Sequence, residues 1–405
     1  MTATDAPVAR GDRYDSLDIL RGLAVLMIFS VNVRAMLQPF WVQGDPSVWS
    51  GPHDLAIDRA LQFAVDGKWM SIFAMLFGAG LMLIHDKTLT RGVPPRDRIV
   101  RRQLWLMGFG LVHMLLIWLG DILVSYGVTG LVVMTMLGLR SRTIAVWAAA
   151  SILGAVVLLS GLGLMMSLIP PEELAAGGMT MTADLVEAEV AAKAGGIGAQ
   201  ILWRLQAGAL IVFNSVTALP FLIGYMLVGV LGYRSGFLLA QWNATAYAMV
   251  ALPCLAAAWS IDAWRIGSMG VWDGADGPYE ILVAQYLWAG TIEGLLGGIG
   301  YAALVMALVR AGVRPRPLAA AGRMAFTNYI LCSVIGTTLA AGHGGGLLGE
   351  LTLAQAMGVV GVVWLAILVW SPLWLSRFRY GPLEWLWRSL SYGEMQAFLI
   401  SRRSA

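Results

Sequence analysis

Charge is what this sequence lacks. Only 13% of its 405 residues are charged, whereas 58% are hydrophobic, and mean hydropathy is +0.73. A water-soluble domain cannot cover its surface with so little charge, which excludes that class. Cysteine is nearly as scarce: Cys254 and Cys332 both sit in apolar runs, so neither a disulfide framework nor a thiolate metal cluster is available, and no metal site is expected. The formal net charge of +3 is too small to indicate a nucleic-acid partner. No cleavable leader is expected either. The first apolar run, Leu17 to about Phe40, contains Asn32 and Arg34 and is followed by no small-residue cleavage pattern, so it reads as an uncleaved first span.

What remains is a chain built for lipid. Its 48 glycines let helices approach closely, and its 17 tryptophans suit the membrane interfaces. Ten runs are long and apolar enough to cross the hydrocarbon core: Leu17–Gln38, Lys68–Ile84, Gln103–Leu119, Ile122–Leu139, Thr143–Ile169, Gln206–Gly232, Phe237–Ile261, Ile281–Val309, Met324–Ala341 and Leu351–Leu375. The expected fold is all-α, a polytopic transmembrane bundle in the cytoplasmic (inner) membrane.

Orientation follows from basic residues, which stay cytoplasmic. Lys87, Arg91, Arg96, Arg98, Arg101 and Arg102 crowd between spans two and three, and alternation from there puts both termini inside. The expected divisions are a cytoplasmic tail (1–16), an N-terminal bundle (17–142), central spans with an external loop at 170–205 (143–232), a C-terminal membrane part (233–376) and a cytoplasmic tail (377–405). The 41–67 loop mixes Leu55, Ile57, Leu61 and Phe63 with Asp54, Asp58 and Arg59, which suggests a short interfacial helix. Loop 170–205 is rich in Glu, Ala and Gly, and some helix but no chemistry is expected of it. Convincing internal repeats are absent, which weakens an inverted-repeat transporter reading.

Polar side chains inside spans are expensive, so each is a functional candidate. His113 lies well inside span three, where an imidazole can move protons at neutral pH; the alternative is a packed histidine bonded to a neighbouring helix. Asp121 follows two turns later and can share a cavity with His113, or it can cap span four. Glu293, midway through span eight, is expected at a similar depth and could complete one polar pocket, or be a protonated, hydrogen-bonded acid. Asn32, Tyr126, Asn214, Tyr225, Tyr301, Thr327 and Asn328 complete the polar set. Lys68 and Arg34 are expected to snorkel to the outer surface. The Arg96–Arg102 cluster is explained by topology and could also meet phosphates. The glycine pairs Gly78/Gly80 and Gly108/Gly110 read as close helix packing.

Several of these residues fall into longer motifs. Ser16-Leu17-Asp18-Ile19-Leu20-Arg21-Gly22 running to Asn32, then Lys68, Phe73 and Leu76-Phe77-Gly78-Ala79-Gly80, resemble the bacterial YeiB-like membrane proteins. Arg101-Arg102, Gly108, His113, Trp118, Gly120-Asp121-Ile122-Leu123 and Tyr126 resemble that family's central signature. Gly322-Arg323-Met324-Ala325, Thr327-Asn328-Tyr329 and Gly381-Pro382-Leu383-Glu384-Trp385-Leu386-Trp387-Arg388 resemble its C-terminal domain of unknown function.

The Leu-Asp-x-x-Arg-Gly opening is also similar to the start of transmembrane acyltransferases, including the lysosomal heparan-glucosaminide N-acetyltransferase. That resemblance implies transfer of an acyl, in particular acetyl, group from cytosolic acyl-CoA to a small-molecule or glycan acceptor across the bilayer, using a histidine. In the lysosomal enzyme the histidine precedes the second conserved span, where this chain has His53. The roles implied are phosphate binding by Arg21, Arg101, Arg102 and Lys68, base or acyl carrier for His113, orientation by Asp121, and oxyanion donation by Asn32 or Tyr126, with Glu293 in the same pocket. A homo-oligomer is compatible with this reading. The competing expectation is a proton-coupled small-molecule transporter built on His113, Asp121 and Glu293.

Overall fold

The computed structural model describes residues 15–42, 48–49, 51–170, 173, 183–269 and 279–400, without the side chains at 41, 166–167, 183, 209–215, 268–269 and 279–289. The Asn214 side chain and most of the N-terminal tail therefore lie outside what is described.

The protein is an all-α membrane bundle. Its first half comprises α1 (Asp15–Leu37), α2 (Asp54–Ala64), α3 (Lys68–Leu89), α4 (Pro95–Val112), a π-helical turn (His113–Ile117), α5 (Leu123–Met134) and α6 (Ser141–Ser167). The second half comprises α7 (Ala183–Ala194), α8 (Ile197–Arg234), α9 (Ala244–Met269), α10 (Tyr279–Arg310), α11 (Arg316–Arg323), α12 (Ala325–Ala340), α13 (Leu353–Leu375) and α14 (Pro382–Tyr392). Among the described residues the only extended pairing is one bridge between Phe378 and Leu399.

Each expected span coincides with a helix, but not all of them are spans by length and composition. Among the described residues seven helical stretches are long and apolar enough to cross a membrane, or eight if α11 and α12, bent by 82° at Met324, count as one. The shortfall sits in α4 and α5. The former opens on the charged turn Pro95-Arg96-Asp97-Arg98, and the latter has 12 residues, a length of roughly 18 Å.

Helix ends follow local chemistry. Thr352 and Gln355 form a reciprocal capping box that starts α13. Pro382 opens α14, and Gly393, at φ +72°, closes it in the left-handed region. The interfacial helix expected in the 41–67 loop is α2, and its carboxylates turn inward. Buried Asp54 accepts from the Leu353 and Ala354 amides at 3.0 and 3.1 Å, tying α2 to the start of α13.

The core runs between α1, α3, α5, α8, α10 and α12, where small residues allow backbone contact. A Cβ on Gly78 would stand 1.9 Å from the Met226 carbonyl oxygen, and one on Gly229 1.9 Å from that of Met75, so α3 and α8 touch through both glycines. Gly22 and Gly322 bring α1 and α11 together in the same way. The other expected packing glycines divide. Gly110 faces the Val124 amide and Asp121, whereas Gly80 and Gly108 meet nothing within 4 Å.

Gly78→Ala is therefore expected to destabilise the protein by about 1–3 kcal/mol through forced helix separation. Gly108→Ala should be neutral or stabilising by up to about 1 kcal/mol. Thermal unfolding of the two variants in detergent checks the contrast.

Candidate functional site

At one end of the bundle a cavity of about 340 Å³ opens between α1, α3, α4, α11 and α14. Its rim carries eight cationic side chains, Arg21, Lys87, Arg91, Arg98, Arg102, Arg323, Arg379 and Arg388, against the carboxylates of Asp18 and Glu384. Its floor is apolar and aromatic, built from Phe73, Phe77, Leu106, Leu123, Phe326, Tyr126 and Tyr329. A basic rim above an apolar floor matches a ligand with a polyanionic head and an uncharged tail.

The rim is held by the C-terminal helix. Glu384 accepts from the Phe326 amide at 2.7 Å and from the Thr327 hydroxyl at 2.5 Å, capping the start of α12 at the bend. Burial pushes the Glu384 carboxyl above its ordinary range, and these hydrogen bonds pull the other way. The Trp387 indole donates to the Arg102 carbonyl at 2.9 Å, and the Arg102 guanidinium lies 3.5 Å over the Trp387 ring. Arg98 stacks on Tyr392 at 4.5 Å and Arg388 on Tyr380 at 4.6 Å. Stacking holds these planar cations in place.

Beyond the floor stands the imidazole. The Tyr329 ring lines the cavity and lies 5.2 Å from the ring of His113. His113 Nδ1 and Asp121 Oδ1 are 2.8 Å apart, both side chains being buried. An ionised Asp121 can only accept, so a neutral His113 in this contact carries its proton on Nδ1 and its lone pair on Nε2. Nε2 is buried and has no hydrogen-bond partner among the described residues. Asp121 Oδ2 simultaneously accepts from the Val124 amide at 2.9 Å, so the carboxylate both orients the histidine and caps α5. The π-turn that begins at His113 is a feature frequent at functional sites.

Not every expected residue joins this site. Arg21, Arg102 and Tyr126 line the cavity, and the Tyr126 hydroxyl donates to the Met70 carbonyl at 3.2 Å. Arg101 points away, toward Gly393, and Asn32 does not line the cavity. Glu293 does not share a pocket with His113 and Asp121; it forms an ion pair with Lys68. Lys68 does not snorkel. It is fully buried, with Asp262 2.9 Å from its Nζ, while Arg265 approaches Asp262 at 3.1 Å. Arg34 likewise turns inward, onto Asp58 at 2.8 Å and onto Asp66. Thr327 and Asn328 are structural: the Asn328 amide donates to the Ala321 carbonyl at 3.0 Å and accepts from the Trp370 indole at 3.0 Å. The rim residues Arg323, Arg379 and Arg388 and the bridging Tyr329 were not expected; the basic and aromatic residues of the last motifs were the available signal.

Comparison with known proteins bears on identity. The chain is 30% identical to the uncharacterized protein YeiB of Escherichia coli (strain K12), covering 94% of this chain and 96% of that protein. It belongs to the YeiB family. It is also similar to the uncharacterized protein YxaH of Bacillus subtilis (strain 168), 28% identical over 95% of this chain and 96% of the relative. A 39.9 kDa protein from the amylase 3' region of Bacillus acidopullulyticus is 25% identical over 98% and 99%. Residues 232–394 match the family described as a protein of unknown function, DUF418. That match contains the bend at Met324 and the rim residues Arg323, Arg379 and Arg388, so the family match and the cavity rim overlap.

The buried ion cluster gives a direct prediction. Lys68→Met strands Asp262 and Glu293 against Arg265 alone and should cost about 3–5 kcal/mol. Lys68→Met/Glu293→Gln restores charge balance and should recover much of that loss, as read by thermal unfolding in detergent.

Proposed function

We propose that this protein is a transmembrane acyltransferase of the cytoplasmic membrane, moving an acyl group, in particular acetyl, from cytosolic acyl-CoA to an acceptor on the other side. The observation that carries the reading is the cation-rimmed cavity whose floor residue Tyr329 packs on the Asp121-oriented His113. The positive-inside rule puts the basic rim in the cytoplasm, with both termini on that side.

In this reading the rim arginines hold the phosphates and the acyl thioester enters the apolar floor. Tyr329 swings aside to expose His113 Nε2. The nitrogen takes the proton of the acceptor hydroxyl or amine as its oxygen or nitrogen attacks the thioester carbonyl. The new C–O or C–N bond replaces the C–S bond, and the imidazolium returns the proton to the departing thiolate. Asp121 stabilises the transient imidazolium. Tyr126 is the hydroxyl on the floor suited to the carbonyl oxygen, after release from Met70.

A second reading, a proton-coupled transporter, is favoured by the buried Lys68, Asp262, Arg265 and Glu293 cluster. Proton-coupled flux in vesicles that Glu293→Gln abolishes would favour it over acyl transfer.

With purified protein in proteoliposomes, release of CoA thiol from acetyl-CoA in the presence of an acceptor is expected, and His113→Ala should lower it about 10²–10⁴-fold. Arg98→Gln and Arg388→Gln should raise the KM for acetyl-CoA and leave kcat nearly unchanged. Absence of acyl-CoA binding and turnover, with His113→Ala behaving as wild type, would refute the reading.

A further inference from the structure

The opposite end of the bundle holds a second polar site, built largely from the stretch expected to carry no chemistry. It is a small cavity of about 20 Å³ beneath α7. Its wall includes Glu189 and Lys193 of α7, Gln200, Trp203 and Arg204 of α8, and Trp118 from the end of the π-turn. The indole of Trp118 lies edge-on to His113 with ring centroids 6.3 Å apart. Trp118 is therefore a wall of this cavity on one side and a neighbour of His113 on the other. Its Nε1 is buried and has no hydrogen-bond partner among the described residues.

The charges here do not balance. Glu189 is fully buried and spent: it pairs with Lys193 at 2.7 Å and accepts from the Phe40 amide at 2.7 Å. Arg204 is 6% exposed, and its guanidinium donates only to neutral groups, the Leu115 carbonyl of the π-turn at 3.2 Å and Gln200 Oε1 at 3.1 Å. Among the described residues no carboxylate stands within ion-pair distance of it. A buried guanidinium without a counterion is costly, and an anion seated against it offsets that cost. Flanking indoles add flat apolar surface, and Gln200 and Lys193 add hydrogen-bonding groups.

We propose that this pocket is the acceptor site for a hydroxylated compound of sugar size carrying an oxyanion, a phosphate or a carboxylate. The oxyanion lies on Arg204, a ring face lies on Trp203, and a hydroxyl passes Trp118 to reach His113 Nε2. The assignment of that hydroxyl as acyl acceptor rests on the acyltransferase reading. A space of about 20 Å³ holds roughly one water, so the site fills only when α7 lifts. That motion breaks the Glu189 bond to the Phe40 amide and the contacts of Lys193. Leu185, Val186 and Ala192 pack in a small satellite cluster around Leu119 and Trp203, separate from the main core. The Lys193 backbone carbonyl accepts from the Gly342 amide at 2.9 Å, and the Lys193 side chain reaches the Gln38 carbonyl at 3.3 Å.

The test uses the full chain in sealed right-side-out vesicles, with Thr337→Cys placing one thiol in the pocket wall of a Cys254→Ser/Cys332→Ala background. A membrane-impermeant maleimide added outside should label it. Glucose 6-phosphate or glucuronate at four times its Kd should slow labelling about fivefold, whereas glucose should not. Comparing the two anions distinguishes phosphate from carboxylate. Arg204→Gln should abolish protection, and Arg204→Lys should retain part of it. In the unmodified protein, either anion should raise the midpoint of thermal unfolding relative to glucose, which keeps the test independent of how the cysteine variants fold. Equal labelling with all three sugars, labelling from the cytoplasmic side only, or equal thermal shifts would overturn the proposal. Coenzyme A release is measured in parallel. Turnover without protection removes the acceptor site alone, and protection without turnover leaves an oxyanion site and removes the acyl-transfer reading.

Discussion

Inside a hydrocarbon slab no water answers a polar side chain, so the protein must supply every partner itself. That constraint organises this bundle. The Lys68 ammonium stands between Glu293 and Asp262, which draws α3, α9 and α10 onto one point, and Arg34 joins α1 to Asp58 and Asp66 in and after α2. Asp54 and Glu384 use the same logic on backbone amides, closing the first turns of α13 and α12. Groups that would be liabilities in lipid thus serve as crossing points between helices.

Against this background of satisfied charge, the exceptions stand out. His113 has one nitrogen engaged by Asp121 and the other without a partner. Arg204 has neutral hydrogen-bond acceptors but no counterion among the described residues. A chain of contacts runs from the cation-rich rim through Tyr329 and His113 to Trp118, which shares a cavity wall with Arg204. The two cavities face opposite ends and do not connect, which is the arrangement a group-transfer protein needs if it is not to leak.

Much of the helical layout was legible because apolar runs of about 20 residues have few other uses. The His113 and Asp121 pair was legible too, since a short turn joins residues only eight apart. Glu293 was misplaced for a specific reason: depth along a span can be counted, but the direction a side chain faces around the helix depends on packing. Its true partner Lys68 looked like a residue at a water boundary, and Asp262 fell just beyond the end of the expected span Phe237–Ile261. The rim was only half visible, because Arg102 and Arg388 are nearly three hundred residues apart and meet only after α14 folds back on α4. Gly78 and Gly108 look alike in sequence; only the neighbouring helix distinguishes a contact from open space.

The π-turn at His113–Ile117 inserts an extra residue into the last turn of the helical run that begins at Pro95, and the backbone leaves the helix in an extended conformation at Trp118. Residues before and after it therefore do not share a common stripe, and the Trp118 amide reaches back five positions to the His113 carbonyl. The insertion acts as a rotary joint. It lets the imidazole face Tyr329 while the next indole turns toward α8, and it lets Arg204 grip the Leu115 carbonyl that the wider turn leaves available. Shortening this last turn by one residue would pull the Trp118 indole out of its place between His113 and α8. The link between the two cavities is thus written in chain length as much as in side-chain identity.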